Sequence, residues 1–128
     1  MLTADHCAYD DDNNSYASSN DMNQWLFYFN YEAAECENPN SSPSSNTMTG
    51  CSRISNSSAT GSISNTSDFH LLELNNDIPY DYGLFAAGWN RANSASTNGV
   101  GIHHPAGDIK KISRYTQSTT SSGYDWRV

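Results

Sequence analysis

Ser67-Asp68-Phe69-His70-Leu71-Leu72-Glu73-Leu74 is the stretch on which the reading of this chain turns. Phe69 to Leu74 is aromatic and aliphatic enough to form an extended strand, and Asp68 stands at its entrance. Asn75 to Gly83 then supplies turn chemistry, with Ile78-Pro79 and Asp81-Tyr82-Gly83 closing the segment off. Asp68 is therefore placed where a strand begins.

Working outward, the aromatic run Gln24-Trp25-Leu26-Phe27-Tyr28-Phe29-Asn30-Tyr31 predicts a second strand, bounded by Asn and Asp clusters. Leu84–Trp89, Gly99–His103 and Ile109–Thr116 are further strand candidates, and residues 1–7 read as the end of a short apolar strand. Tyr9 to Met22 is expected to be a polar, acidic loop. From Asn38 to Asn65 runs a stretch rich in Ser, Asn and Thr, about twice the length at which structureless loops become uncommon. A strand around Ala59–Ile63 is expected inside it. Nothing repeats every 3.6 residues, so almost no helix is expected, and short strands between turns predict an all-β sandwich or barrel.

Composition narrows the function classes. Hydrophobic residues make up 36% of the 128, below the ~45–50% usual for a globular domain, and the deficit lies in the Ser/Asn/Thr stretch. Aromatic content of 12% argues against a disordered chain. The net charge is −8, and the acids from Asp5 to Glu37 all precede the first Lys or Arg, Arg53. Such a surface repels nucleic acid and anionic lipid, so neither is an expected partner. No apolar run approaches the ~20 residues needed to cross a bilayer, and Met1-Leu2-Thr3 leads into strand sequence rather than a signal peptide. The three cysteines, Cys7, Cys36 and Cys51, fit no zinc spacing. An odd count in a Ser/Asn/Tyr-rich chain suggests disulfides with one partner missing, and a Cys36–Cys51 bridge would close a Pro/Ser loop.

Two segments carry chemistry. Leu2-Thr3-Ala4-Asp5-His6-Cys7 resembles the Leu-Thr-Ala-Ala-His-Cys motif around the catalytic His of trypsin-like serine proteases, with Asp5 in place of the commoner Ala. Ser67 to Leu74 resembles the Asp-x-x-Leu-Leu-x-Leu segment that carries the catalytic Asp of the same family. The order His6 then Asp68 is that of the chymotrypsin template, not of subtilisin. A histidine acting as general base needs a carboxylate on its far nitrogen to hold the tautomer and stabilise the imidazolium. His6 and Asp68 are the candidate catalytic residues.

Phe29-Asn30-Tyr31-Glu32 with Cys36, Phe85-Ala86-Ala87-Gly88-Trp89, and Ile102-His103-His104-Pro105 running on to Lys110-Lys111-Ile112-Ser113 narrow the resemblance to the bacterial lysyl endopeptidase branch. That resemblance implies a chymotrypsin-like double β-barrel with the active site between the barrels. Most of the first barrel would lie in residues 1–83 and the beginning of the second in 84–128. It implies a secreted serine endopeptidase acting on polypeptide substrates after Lys or Arg, with no cofactor and no metal. It also implies that this chain is a fragment, lacking the first strands and the Gly-x-Ser-Gly nucleophile segment, and inactive as given. Cys36 would then pair either with Cys51 or with an upstream Cys, and Cys7 would be unpaired within the chain. Trp126 lies near a tryptophan that packs beside the catalytic His in lysyl endopeptidases.

The alternatives are plain. His6 could be a structural histidine and Asp68 a turn-former, in a non-catalytic secreted β module or an inactive protease homologue. His103 and His104 read as a strand-to-loop corner rather than a metal site. Asp10-x-Asp12-x-Asn14 mimics a calcium loop, but Ser15 and Asp21 stand where Gly and Glu are needed. Ser122-Gly123 reads as a surface turn.

Overall fold

A computed structural model describes residues 1–58, 67–121, 123 and 126–128. Its strands are β1 (Leu2–Thr3), β2 (Tyr9–Asp10), β3 (Ser15–Tyr16), β4 (Leu26–Phe29), β5 (Asn46–Thr49), β6 (Cys51–Asn56), β7 (His70–Leu74), β8 (Gly99–His103), β9 (Lys111–Tyr115), β10 (Thr120–Ser121) and β11 (Trp126–Arg127), and its α-helix is α1 (Ser19–Met22). The all-β expectation holds, with no closed barrel among the described residues. The expected strand around Ala59–Ile63 lies outside the described residues. The chain divides into two compact units, Met1–Phe27 with Thr47–Ile78, and Tyr28–Asn46 with Pro79–Val128.

The first unit is built on a three-stranded sheet in the order β1-β7-β6, antiparallel throughout. β7 alternates: His70 and Leu72 are buried while Leu71 and Glu73 face out. This period of two explains why only part of the leucine run enters the core. Leu72, Cys51 and Met22 form that core, with Ala17, Trp25, Phe27 and Leu74 packed around it.

The polar loop expected over Tyr9–Met22 is instead a hairpin, β2–β3, followed by α1. The Asp10 carboxylate accepts the backbone N–H groups of Asp12 and Asn13, which folds the turn, and Asn14 takes a left-handed φ of 49°. Tyr9 and Tyr16 pair edge-to-face across the strands at 5.0 Å. Ser18 and Asp21 form a reciprocal capping box that starts α1 and turns Met22 inward. The Ser/Asn/Thr stretch likewise holds β5 and β6. Gly50, between them, has φ +88°, and a Cβ there would come within 2.5 Å of the Asn75 side chain, so the turn requires glycine.

In the second unit β8 and β9 form an antiparallel hairpin from Gly99↔Tyr115 to His103↔Lys111, within the segments expected to be strands. β10 pairs with β11. Among the described residues of this unit Ile109 is buried, anchored where the Lys110 N–H donates to the Tyr31 carbonyl at 2.9 Å. Lys110 and Glu32 form an ion pair beside it. Leu84–Trp89, expected to be a strand, is not one. Phe85 and Trp89 are 100% and 84% exposed, and the segment joins no ladder among the described residues.

Candidate active site

Strand pairing brings the two candidate residues together. β1 runs antiparallel to β7 with Thr3 opposite His70, so the chain leaving β1 lies beside the chain entering β7. The Asp5 N–H donates to the Asp68 carbonyl at 3.3 Å, and Ala8 N–H returns to the Asp5 carbonyl at 2.9 Å, which winds His6–Ala8 into a 3₁₀ turn. Asp68 takes φ +45°, a left-handed conformation that Asp tolerates better than most residues.

Both oxygens of Asp68 serve His6. Oδ1 accepts the His6 backbone N–H at 2.9 Å, and Oδ2 lies 2.8 Å from His6 Nδ1. That ring contact falls inside the 2.6–3.2 Å range expected for a base and its orienting acid. With a carboxylate at Nδ1, the ring proton belongs there and the Nε2 lone pair is left available. The side chains are 45% exposed at His6 and 19% at Asp68, so the imidazole faces solvent and the acid lies behind it. Burial pushes the Asp68 carboxyl up, but the His6 backbone N–H, the His6 ring and the Asp5 backbone N–H outweigh it and hold the group below its ordinary value. Cys7 Sγ lies 3.7 Å from His6 Nε2.

Sequence reasoning missed a second, buried group beneath this pair. Asp5 and His70 are both 0% exposed, with Asp5 Oδ1 3.2 Å from His70 Nδ1. Asp5 also accepts from Tyr16 Oη at 3.0 Å, Ser57 Oγ at 3.2 Å and Asn56 Nδ2 at 3.1 Å. Arg53 Nε donates to His70 Nε2 at 3.0 Å, which leaves the His70 proton on Nδ1, toward Asp5. Burial, then the Arg53 charge, lower the His70 pKa against the pull of Asp5. The available signal was the pairing of an acid at position 5 with a histidine on the inward face of a strand.

The other singled-out residues have structural placements. His103 ends β8, and His104 bonds through Nδ1 to the Asp108 carbonyl at 2.9 Å and stacks on Tyr31. Cys7, Cys36 and Cys51 are all free, so the Cys36–Cys51 bridge is not formed. Cys51 is instead a core residue, its thiol directed at the Met22 carbonyl. Trp126 stands on β11 opposite Ser121, and Ser122 lies outside the described residues. No group of three or more metal-ligating side chains occurs among the described residues, and none of their helices is long and apolar enough to cross a membrane. Compared with known families, the chain matches the model described as "Lysyl endopeptidase, C-terminal domain" over residues 1–127.

Proposed function

The chain belongs to the lysyl endopeptidase C-terminal domain family, and on that premise we propose that it carries the general base, His6, and the orienting acid, Asp68, of a secreted serine endopeptidase. The observation that supports this most directly is the 2.8 Å contact between His6 Nδ1 and Asp68 Oδ2, behind an imidazole open to solvent. In the proposed reaction His6 Nε2 takes the proton of a serine hydroxyl as that oxygen attacks the peptide carbonyl. It then gives the proton to the departing amine, and a water repeats the cycle on the acyl-enzyme. Asp68 holds the Nδ1–H tautomer and stabilises the imidazolium formed on the way. The substrate is a polypeptide cut after Lys or Arg.

No Gly-x-Ser-Gly occurs among the 128 residues, so the proposal places the nucleophile outside them and the isolated chain is inactive. In subtilisin, loss of the serine alone lowers kcat by ~2 × 10⁶. The 128-residue chain should therefore show no turnover of a Lys ester and no labelling by a serine-directed phosphonate. The product of the same reading frame with its flanking DNA should cleave after a basic residue, and His6→Ala should abolish the cleavage. An extended product that contains a serine segment yet cleaves nothing would favour the non-catalytic homologue instead. Turnover by the short chain that vanishes in Ser122→Ala would place the nucleophile at Ser122.

A further inference from the structure

We propose that Asp5 is a positioning residue for the His6–Asp68 pair, its buried carboxylate tying together the two chain segments on which that pair stands. The inference rests on the reading of His6 and Asp68 as base and orienting acid. Asp5 adjoins His6 in sequence, and its carboxylate is wholly withdrawn from solvent. An unpaired buried carboxylate is strongly disfavoured, and here donors converge on it from different elements. Tyr16 comes from β3, Asn56 from the end of β6, and Ser57 from just beyond it, while His70 approaches from β7.

Ser57 is the link to the acid. Its hydroxyl donates to Asp5 Oδ2 at 3.2 Å and accepts the Phe69 N–H at 3.0 Å, while its own N–H donates to the Phe69 carbonyl at 2.9 Å. Phe69 directly follows Asp68, whose left-handed backbone persists only if its surroundings hold it. His70, on the far side of Phe69, accepts from Arg53 at Nε2, while its Nδ1 lies 3.2 Å from Asp5 Oδ1 without a hydrogen bond. Asp5 thus holds His6 through the main chain and Asp68 through Ser57. An alanine at position 5 would fill the same corner with none of these ties. Positional errors of about 1 Å in such groups cost about 10²-fold in rate, so a device that fixes both segments acts on the reaction without touching substrate.

The test reads the tautomer of His6 by nitrogen NMR of the intact chain above neutral pH, with the His6 signal assigned by its loss in His6→Ala. Wild type should be mainly the Nδ1–H tautomer, and Asp68→Ala should return the ring to the ratio of free imidazole. Asp5→Asn, which turns an amide NH₂ toward hydroxyl donors, should lower the Nδ1–H:Nε2–H ratio by about five-fold, the net value of one hydrogen bond. Ser57→Ala should do the same by cutting only the link, and Ser57→Thr, which keeps the hydroxyl, should restore it. If Asp68→Ala leaves the ratio unchanged, the functional reading of the pair fails. If Asp68→Ala shifts it while Asp5→Asn and Ser57→Ala, both folded, match wild type, the role of Asp5 is overturned alone. Should Asp5→Asn fail to fold, the contrast between Ser57→Ala and Ser57→Thr decides.

Discussion

Asp68 holds His6 at two points, the backbone N–H on one carboxylate oxygen at 2.9 Å and the ring Nδ1 on the other at 2.8 Å. A carboxylate used this way contacts the loop and the side chain together. The same residue sits at φ +45°, which separates two contributions by mutation.

Asp68→Ala should lower stability by about 2–3 kcal/mol, combining loss of charge-assisted hydrogen bonds with a left-handed alanine. Asp68→Gly, which relieves the backbone, should recover about 1 kcal/mol of this, and Asp68→Asn should lie nearest wild type. Urea unfolding monitored by tryptophan fluorescence gives the order. Equal loss in Ala and Gly would show that the backbone is not strained there.

Thiol labelling should divide the cysteines. Cys7 and Cys36 are exposed, whereas Cys51 is 2% exposed and burial raises its pKa, keeping it a neutral thiol. Iodoacetamide on the native chain should add to Cys7 and Cys36 within minutes, and to Cys51 only in denaturant. Native labelling of Cys51 at the rate of Cys7, read by peptide mass spectrometry, would contradict its place in the core.

The meeting of His6 and Asp68 was legible through the resemblance of their two motifs to those of trypsin-like proteases, since the β1–β7 pairing that brings them together joins segments far apart in the chain. Asp5 was not. In the sequence it is a single substitution beside a histidine, and its partners Tyr16, Asn56, Ser57 and His70 assemble only in three dimensions. The hairpin β2–β3 was hidden for a related reason: its turn is organised by the Asp10 side chain, whereas strand reading relies on apolar alternation. Leu84–Trp89 errs in the opposite direction. It has strand-forming residues, but a strand also needs an unpaired edge to join, and propensity carries no information about that.

Gly99 is a sterically required glycine. It faces Tyr115 across the hairpin, and a Cβ there would come within 2.4 Å of the phenol oxygen and 2.5 Å of the ring. Gly99→Ala should destabilise β8–β9 by about 1–3 kcal/mol, as overpacking does, because the ring must swing away from its bond with Ser96 Oγ at 2.6 Å. In a Tyr115→Ala background Gly99→Ala should cost almost nothing further, since the ring it would strike is gone. A double mutant as unstable as the sum of the singles would show that the ring does not sit over Gly99.

The buried His70 makes a pH prediction whose sign follows from its environment. Burial, then Arg53, lower its folded pKa below the ordinary ~6.5, so as pH falls the unfolded chain binds the proton first. Its stabilising contribution is complete above ~6.5 and is lost as pH falls toward the folded value. Asp68, also lowered, adds its own loss only below about 3.8. Between pH 7.5 and 5 the urea midpoint should therefore fall through His70, which is wholly buried. His70→Gln keeps a polar side chain beside Asp5 and cannot titrate. Its midpoint should start lower and stay nearly flat over the same interval. A wild-type slope that persists unchanged in His70→Gln would place the titrating group elsewhere and remove His70 from this account.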